Sequence, residues 1–255
     1  MLDKPVFSIV IPALNEERNL PVLLASLENQ TFREFEVIIV DSGSTDNTKY
    51  EATKFLQKNS HFKFIEHRCK NVSQARNFGA QQARSDWLIF FDADGEVEKI
   101  FLDGIKKRIT ENKLDMLTVW NRGKTKNLTG IITLFLLNSG MTLLQKIKPA
   151  ANGPCIIIKK SLFEKIGCFD ETIVFGEDFD LTRKAHKEKA RFAVFSTPKF
   201  YVSTRRFEKE GFFLSIYKAV KALLYQMFFG PIRKPLFDYE MGGQYYKDKQ
   251  QNANS

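Results

Sequence analysis

A run of five apolar residues, Trp87-Leu88-Ile89-Phe90-Phe91, ends abruptly in Asp92-Ala93-Asp94. No polar residue alternates within the run. It therefore reads as a strand buried on both faces, in a sheet covered by helices. In open α/β sheets, ligands collect beyond the carboxyl ends of the strands. Two carboxylates placed there suit a hard divalent cation, because Mg²⁺ and Mn²⁺ take oxygen ligands and leave positions for phosphate. The plainer alternative is an Asp-rich turn running into Gly95, since both residue types favour turns.

The flanking chain has the rhythm such a sheet needs. Val6 to Ile11 is apolar and β-branched, with Pro12 expected to stop it. Asn15 is placed to cap a helix from Glu16, with Leu20, Leu23, Leu24 and Leu27 on one face. Phe35 to Val40 is a second buried strand ending at Asp41. The polar turn Ser42-Gly43-Ser44-Thr45-Asp46 then leads into a helix over Asn47 to Gln57. A third strand spans Phe62 to Glu66, and Ser73 is the expected cap of a helix carrying Arg76. Strand and helix alternating at this spacing imply right-handed crossovers and a mostly parallel sheet.

Beyond Asp94 the alternation loosens. Strands are expected over Leu114 to Trp120 and Cys155 to Ile158, with shorter ones over Phe192 to Phe195 and Phe200 to Val202. Leu128 to Lys148 reads as an apolar helix. Ser161 is placed to cap a short helix, and Gly176-Glu177-Asp178 opens another through Lys187. Neither a Gly-any-Gly-any-any-Gly turn after the first strand nor a complete phosphate loop, with a glycine five residues before Gly-Lys-Ser/Thr, is present. A nucleotide in this chain would be held by carboxylates, a metal and Arg76 rather than by a glycine cradle.

Taken together, Phe7 to Glu16, Val40 to Asp46, Ala75-Arg76-Asn77-Phe78-Gly79, Asp92-Ala93-Asp94 and Gly176-Glu177-Asp178 resemble the family 2 glycosyltransferases. The resemblance covers residues 6 to 206. It implies a GT-A fold, a Rossmann-like, mostly parallel sheet flanked by helices, and transfer with inversion from a nucleotide-diphosphate sugar. By that resemblance Pro12, Leu14 and Glu16 line the base and ribose, and Asp41 contacts the base beside Ser44 and Asp46. Arg76 approaches the base or diphosphate, and Asp92 with Ala93 touches the ribose. Asp94, with Asp92, holds Mn²⁺ or Mg²⁺. Asp178 is the general base with Glu177 beside it, and Cys155 falls where the acceptor wall often lies. Arg205 and Arg206 meet the diphosphate.

The chemistry such a site needs is independent of the resemblance. A leaving diphosphate requires its growing charge neutralised, and inversion requires one base to take the acceptor's proton. Asp178 at a helix start is expected to be ionised at neutral pH, because the helix dipole favours the anion. Each residue also has a plainer role: Asp41 capping its turn, Arg76 pairing with an acid, Glu177 and Asp178 complementing the dipole.

The sequence divides into residues 1–206, the catalytic unit, and 207–255, an appended amphipathic helix and polar tail. The net charge of +9 is uneven. Lys199 to Lys234 holds eight Lys and Arg against Glu208 and Glu210. Within it Phe212, Phe213, Ile216, Val220, Leu223 and Leu224 recur at helical spacing over Gly211 to Phe229. A broad apolar face among lysines suits peripheral contact with a membrane through 211–234; a helix docked on the core or a dimer contact is the alternative. No basic leader before an apolar core is found, and no uncharged apolar run reaches roughly 18 residues, Leu128 to Leu144 being broken by Asn138, Ser139 and Gly140, so a cytoplasmic protein on the cytoplasmic face of a membrane is expected. The three cysteines show no paired metal spacing and read as core thiols. No nucleic-acid reader motif accompanies the basic segment. The expected acceptor is a lipid-linked or cell-envelope glycan. Polyprenyl phosphate is an alternative acceptor, and a non-catalytic binding protein of the same fold an alternative class. The oligomeric state is left open.

Overall fold

The computed structural model describes residues 4–124 and 128–203, together with scattered positions between 214 and 236. Its elements run β1 (Phe7–Ala13), α1 (Leu20–Glu28), β2 (Phe35–Asp41), α2 (Thr48–Leu56), β3 (Phe62–Glu66), α3 (Val72–Gln81) and β4 (Trp87–Phe91). The second half runs β5 (Glu96–Val97), α4 (Phe101–Asn112), β6 (Met116–Gly123), α5 (Leu128–Leu144), β7 (Cys155–Lys159), α6 (Lys160–Lys165), α7 (Glu177–Lys187) and β8 (Phe192–Val202). One eight-stranded sheet carries them in the order β3-β2-β1-β4-β7-β6-β8-β5.

Its first half is wholly parallel: β1 pairs with β2 and β4, and β2 with β3. The chain winds outward from β1 to β3, then returns to place β4 on the other side of β1. The order therefore reverses between β1 and β4, where an open sheet leaves a crevice at the strand ends. β7 enters antiparallel between β4 and β6, and β8 then pairs parallel with β6.

Successive residues of each central strand enter opposite cores. Ile9, Val37, Ile39, Ile89, Phe91 and Ile157 pack into one layer with the leucines of α1. Val10, Ile38, Val40, Leu88, Phe90 and Ile158 pack into the other with Ala75 of α3 and Leu181 of α7. Both faces being apolar explains the unbroken hydrophobic runs. At the amino ends of the strands, Glu36 is fully buried and accepts from Ser8 Oγ at 2.7 Å, Arg84 N at 2.8 Å and Arg84 Nε at 2.9 Å. Burial alone would raise its pKa, but these donors hold it below the ordinary value.

Several boundaries differ from the sequence expectation. β1 continues through Pro12 to Ala13, and Ala13 O still accepts from Ser42 N at 2.9 Å. α1 starts at Leu20 rather than Glu16, because Asn15 adopts a left-handed conformation (φ 54°) and accepts from Thr45 N at 2.8 Å instead of capping. α3 is capped by Asn71, whose side chain accepts from Gln74 N, and Ser73 lies inside the helix. α6 begins after Lys159 without a side-chain cap, so Ser161 is internal. The two short strands expected near the end are one strand, β8, whose register with β6 shifts between Val119 and Asn121. The helix expected over 211–229 and the tail beyond lie largely outside the described residues.

Candidate active site

The connections after β1, β2 and β4 and the start of α7 converge on one cleft of about 760 Å³. That is within the range of small-molecule sites, roughly 300–1,000 Å³. Pro12, Leu14 and Glu16 line it from the first of these connections, Asp92, Ala93 and Asp94 from the last, and Glu177 and Asp178 from the start of α7. Leu134, Leu137 and Asn138 of α5 close the remaining flank. These residues are far apart in sequence; the switch between β1 and β4 brings the first two groups together.

The first wall is shaped by the second connection. Asn15 N donates to Ser44 Oγ at 2.8 Å, Glu16 N to Thr48 Oγ1 at 2.8 Å and Glu17 N to Asp46 Oδ2 at 3.2 Å. Ser44 and Asp46 thus act on the loop that carries Leu14 and Glu16 and do not themselves line the cleft. Asp41 is buried, and its Oδ2 accepts from Gly43 N at 3.1 Å and Ser44 N at 3.0 Å. Its carboxylate secures its own turn and stands behind the cleft wall.

Arg76 is the buried hub. It is 2% exposed, and its Nη2 donates to Asp92 Oδ1 at 2.7 Å and to Gly153 O at 3.1 Å. Nη1 donates to Glu177 Oε1 at 2.8 Å. Arg76 comes from the second turn of α3 rather than from its start, and the acid pairing is its main contact. Burial works against its charge, but Asp92, Glu177 and Asp178 hold it firmly cationic. Asn77 beside it exchanges hydrogen bonds with Phe169 O and N, both at 3.0 Å, tying α3 to the segment that leads into α7. The motif residue Asn77 carried no assignment from sequence. Its role is visible only through this contact across 92 positions.

Gly176, in a left-handed conformation (φ 79°), lets the chain turn sharply into α7. Asp178 follows in the first turn and accepts from Phe179 N at 2.9 Å. Its pKa is pushed up to about 7, first by burial and then by the negative Glu177, against the Phe179 N–H and Arg76. This corrects the expectation of a carboxylate kept ionised by the helix dipole: desolvation and like charge outweigh the dipole here. Asp178 rests on Gly153, where a Cβ would stand 2.9 Å from its Oδ2. Gly153 was also unassigned from sequence, where Asn152-Gly153-Pro154 signals only a turn.

Cys155 requires a second correction. It is 0% exposed in β7 with its thiol held neutral by burial, so it belongs to the core and not to the acceptor wall. Arg205 and Arg206 lie outside the described residues.

Asp92 and Asp94 fit a divalent cation by donor chemistry. Both line the cleft, and their side-chain donors are all oxygen, a set that suits Mg²⁺ or Mn²⁺. Among the described residues, no three His, Cys, Asp or Glu side chains cluster as ligands. Such cations commonly use one or two carboxylates and complete their shell with water and substrate phosphate.

Comparison with known proteins gives a consistent picture. Residues 8–167 match the model for "Glycosyl transferase family 2". The chain is 29% identical over 206 residues to poly(ribitol-phosphate) beta-N-acetylglucosaminyltransferase TarS of Staphylococcus aureus, covering 78% of this chain and 36% of that protein. It is 25% identical over 198 residues to the uncharacterized glycosyltransferase EpsJ of Bacillus subtilis, covering 73% of this chain and 58% of that one. The chain thus spans little more than a third of TarS and under two thirds of EpsJ. The crystal structure of S. aureus TarS 1-349 in complex with UDP-GlcNAc superposes with a TM-score of 0.64 at 24% identity, over 86% of this chain and 65% of that one. Mannosyltransferase PcManGT from Pyrobaculum calidifontis, in complex with GDP-Man and Mn²⁺, gives 0.67 at 16% identity over the same shares. At these identities the superpositions establish a shared fold.

Proposed function

The chain belongs to glycosyl transferase family 2, and from that premise we propose that it moves a sugar from a nucleotide-diphosphate sugar to an acceptor hydroxyl with inversion. The observation that carries this reading is the meeting of Asp92, Asp94 and Asp178 in one cleft at the strand-order reversal. Residues 1–206 form the catalytic unit in this proposal, and 207–255 the appended segment.

Pro12, Leu14 and Glu16 receive the base and ribose. Asp41, Ser44 and Asp46 hold that wall in place. Asp92 and Asp94 hold Mn²⁺ or Mg²⁺, which when bound neutralises charge on the diphosphate. Arg76 keeps Asp92 and Glu177 in position from below. Asp178 takes the proton from the acceptor hydroxyl as its oxygen attacks the anomeric carbon. A carboxyl titrating near 7 is well matched to accepting a proton at neutral pH. Burial first, and then the charge of Glu177 held by Arg76, keep that pKa high. The acceptor is a lipid-linked or cell-envelope glycan; TarS, described as a poly(ribitol-phosphate) N-acetylglucosaminyltransferase, supports that class. The protein works from the cytoplasmic face of a membrane.

The deciding experiment is a thermal-shift screen of UDP-, GDP- and dTDP-sugars with Mn²⁺, with Mg²⁺ and with chelator. A metal-dependent rise in melting temperature with one nucleotide is expected, since ligand binding stabilises the native state by mass action. No shift with any donor would overturn the reading.

A further inference from the structure

Helix α5 is apolar over most of its surface. Toward the sheet it presents the buried Leu134 and polar side chains: Asn138 Nδ2 donates to Asn121 O at 2.9 Å, and Thr142 Oγ1 accepts from Trp120 Nε1 at 2.9 Å. Just past its end, Gln145 Oε1 accepts from Val194 N at 2.8 Å. Away from the sheet, Leu128, Ile132, Leu136 and Leu143 recur at helical spacing, each 48% exposed or more. A helix on a water-facing surface shows the reverse pattern. This outward face is also longer than isolated exposed residues require, and contiguous apolar patches of this kind mark an interaction surface.

Charge indicates the occupant. Between Asp115 and Glu164 the chain contains no Asp or Glu. Lys146 and Lys148 are exposed at the carboxyl end of the helix, on either side of Ile147, which is 78% exposed. Arg122, Lys124 and Lys126 precede its start in sequence, Lys124 being paired with Glu96. A second copy of this chain would bring the same cationic ends together without an acid to meet them. An anionic lipid surface offers both the apolar layer and the counter-charge. Among the described residues no helix is long and apolar enough to cross a membrane: the 17 residues of α5 rise about 25 Å, short of a hydrocarbon core of about 30 Å.

We propose that α5 lies in the plane of an anionic lipid bilayer and docks the chain there through its outward face. Its other flank supplies Leu134, Leu137 and Asn138 to the cleft, so docking sets the cleft mouth against the lipid. The residues that make this contact are not those of the one expected over 211–234. It deepens the sugar-transfer reading, on which only the consequence for the acceptor rests: an acceptor anchored in the membrane plane reaches the cleft along α5.

The test is flotation of the full chain with phosphatidylglycerol and with phosphatidylcholine vesicles. Binding to the first, weakened by salt, is expected. Replacing Ile132, Leu136 and Leu143 together by Ser should lower it about tenfold or more, with circular dichroism and nucleotide-sugar thermal shift unchanged. Lys146→Glu with Lys148→Glu should lower it similarly and remove the salt dependence, at positions where misfolding is not at issue. Three results overturn the proposal: no vesicle binding by the parent chain, undiminished binding by both variants, or a dimer in sedimentation that the Ser variant dissociates while vesicles go unbound. If vesicle binding behaves as expected but no nucleotide sugar shifts the melting temperature, the docking surface stands and the transfer reading falls.

Discussion

Arg76 Nη2 lies 2.7 Å from Asp92 Oδ1, so the carboxylate that ends β4 is held from below by a guanidinium that solvent scarcely reaches. The same guanidinium holds Glu177 at the start of α7. One buried cation thereby joins the two acidic edges of the cleft. Removing one member of a buried pair leaves uncompensated charge and costs about 3–5 kcal/mol. Asp92 is partly exposed, so Arg76→Ala should cost nearer 3 kcal/mol, read as a lower urea midpoint. A loss below 1 kcal/mol would mean that the side chain is not locked between the acids.

Asp178→Asn should retain the metal-dependent donor thermal shift and lose transfer by about 10²–10⁴-fold, the range for removing a positioned base. Retained turnover with a hydroxyl acceptor would exclude it as the base. In the parent enzyme, kcat should rise with pH and level off above about 7, where Asp178 is ionised.

The same carboxyl has a stability signature. Its folded pKa lies above the unfolded value of 3.8, so the native state holds its proton more tightly. Stability from this group therefore falls as pH rises from about 4 to 7 and stays low above that. Asp178→Asn should be more stable than the parent at pH 8, by about 1–3 kcal/mol, and nearly equal to it at pH 4. Equal denaturant midpoints at both pH values would show that the folded environment does not disfavour the anion.

Gly153→Ala places a methyl group 2.9 Å from Asp178 Oδ2. The carboxyl must shift, and misplacing a catalytic group by about 1 Å can cost about 10²-fold. Single-turnover transfer should slow with donor affinity little changed. A parent-like rate would show that Asp178 has slack at this contact.

Asp94→Asn should abolish the part of the nucleotide-sugar thermal shift that depends on Mn²⁺ or Mg²⁺, while the unliganded melting temperature changes little. In the parent, chelator should have the same effect as the substitution. A metal-dependent shift persisting in Asp94→Asn would assign the cation to other ligands.

Strand positions were legible because burial on both faces leaves a signature in the chain itself. Phe62 to Glu66 and Trp87 to Phe91 begin and end where the apolar pattern says they should. The acids at the ends of β2 and β4, Asp41 and Asp92, were legible for the same reason, since polar residues where buried strands stop stand out. Caps were less so. Asn15 and Asn71 offer the same side chain, yet one bonds across to Thr45 and the other caps α3. The difference lies in what the neighbouring loop presents.

The sequence by itself determined a doubly covered α/β sheet and the set of carboxylates at its strand ends, because local pattern and strand termination are encoded in adjacent residues. Tertiary structure alone decided what those groups touch. Arg76 meets Glu177 across 101 positions, and Gly153 lies under Asp178. Asp178 titrates near 7 rather than in the ordinary carboxylate range because of burial and then the neighbouring charge of Glu177. Cys155 turned inward and α5 left Leu136 and Leu143 exposed for the same reason: a side chain's surroundings are set by which strands and helices pack around it, and that information is distributed over the whole chain.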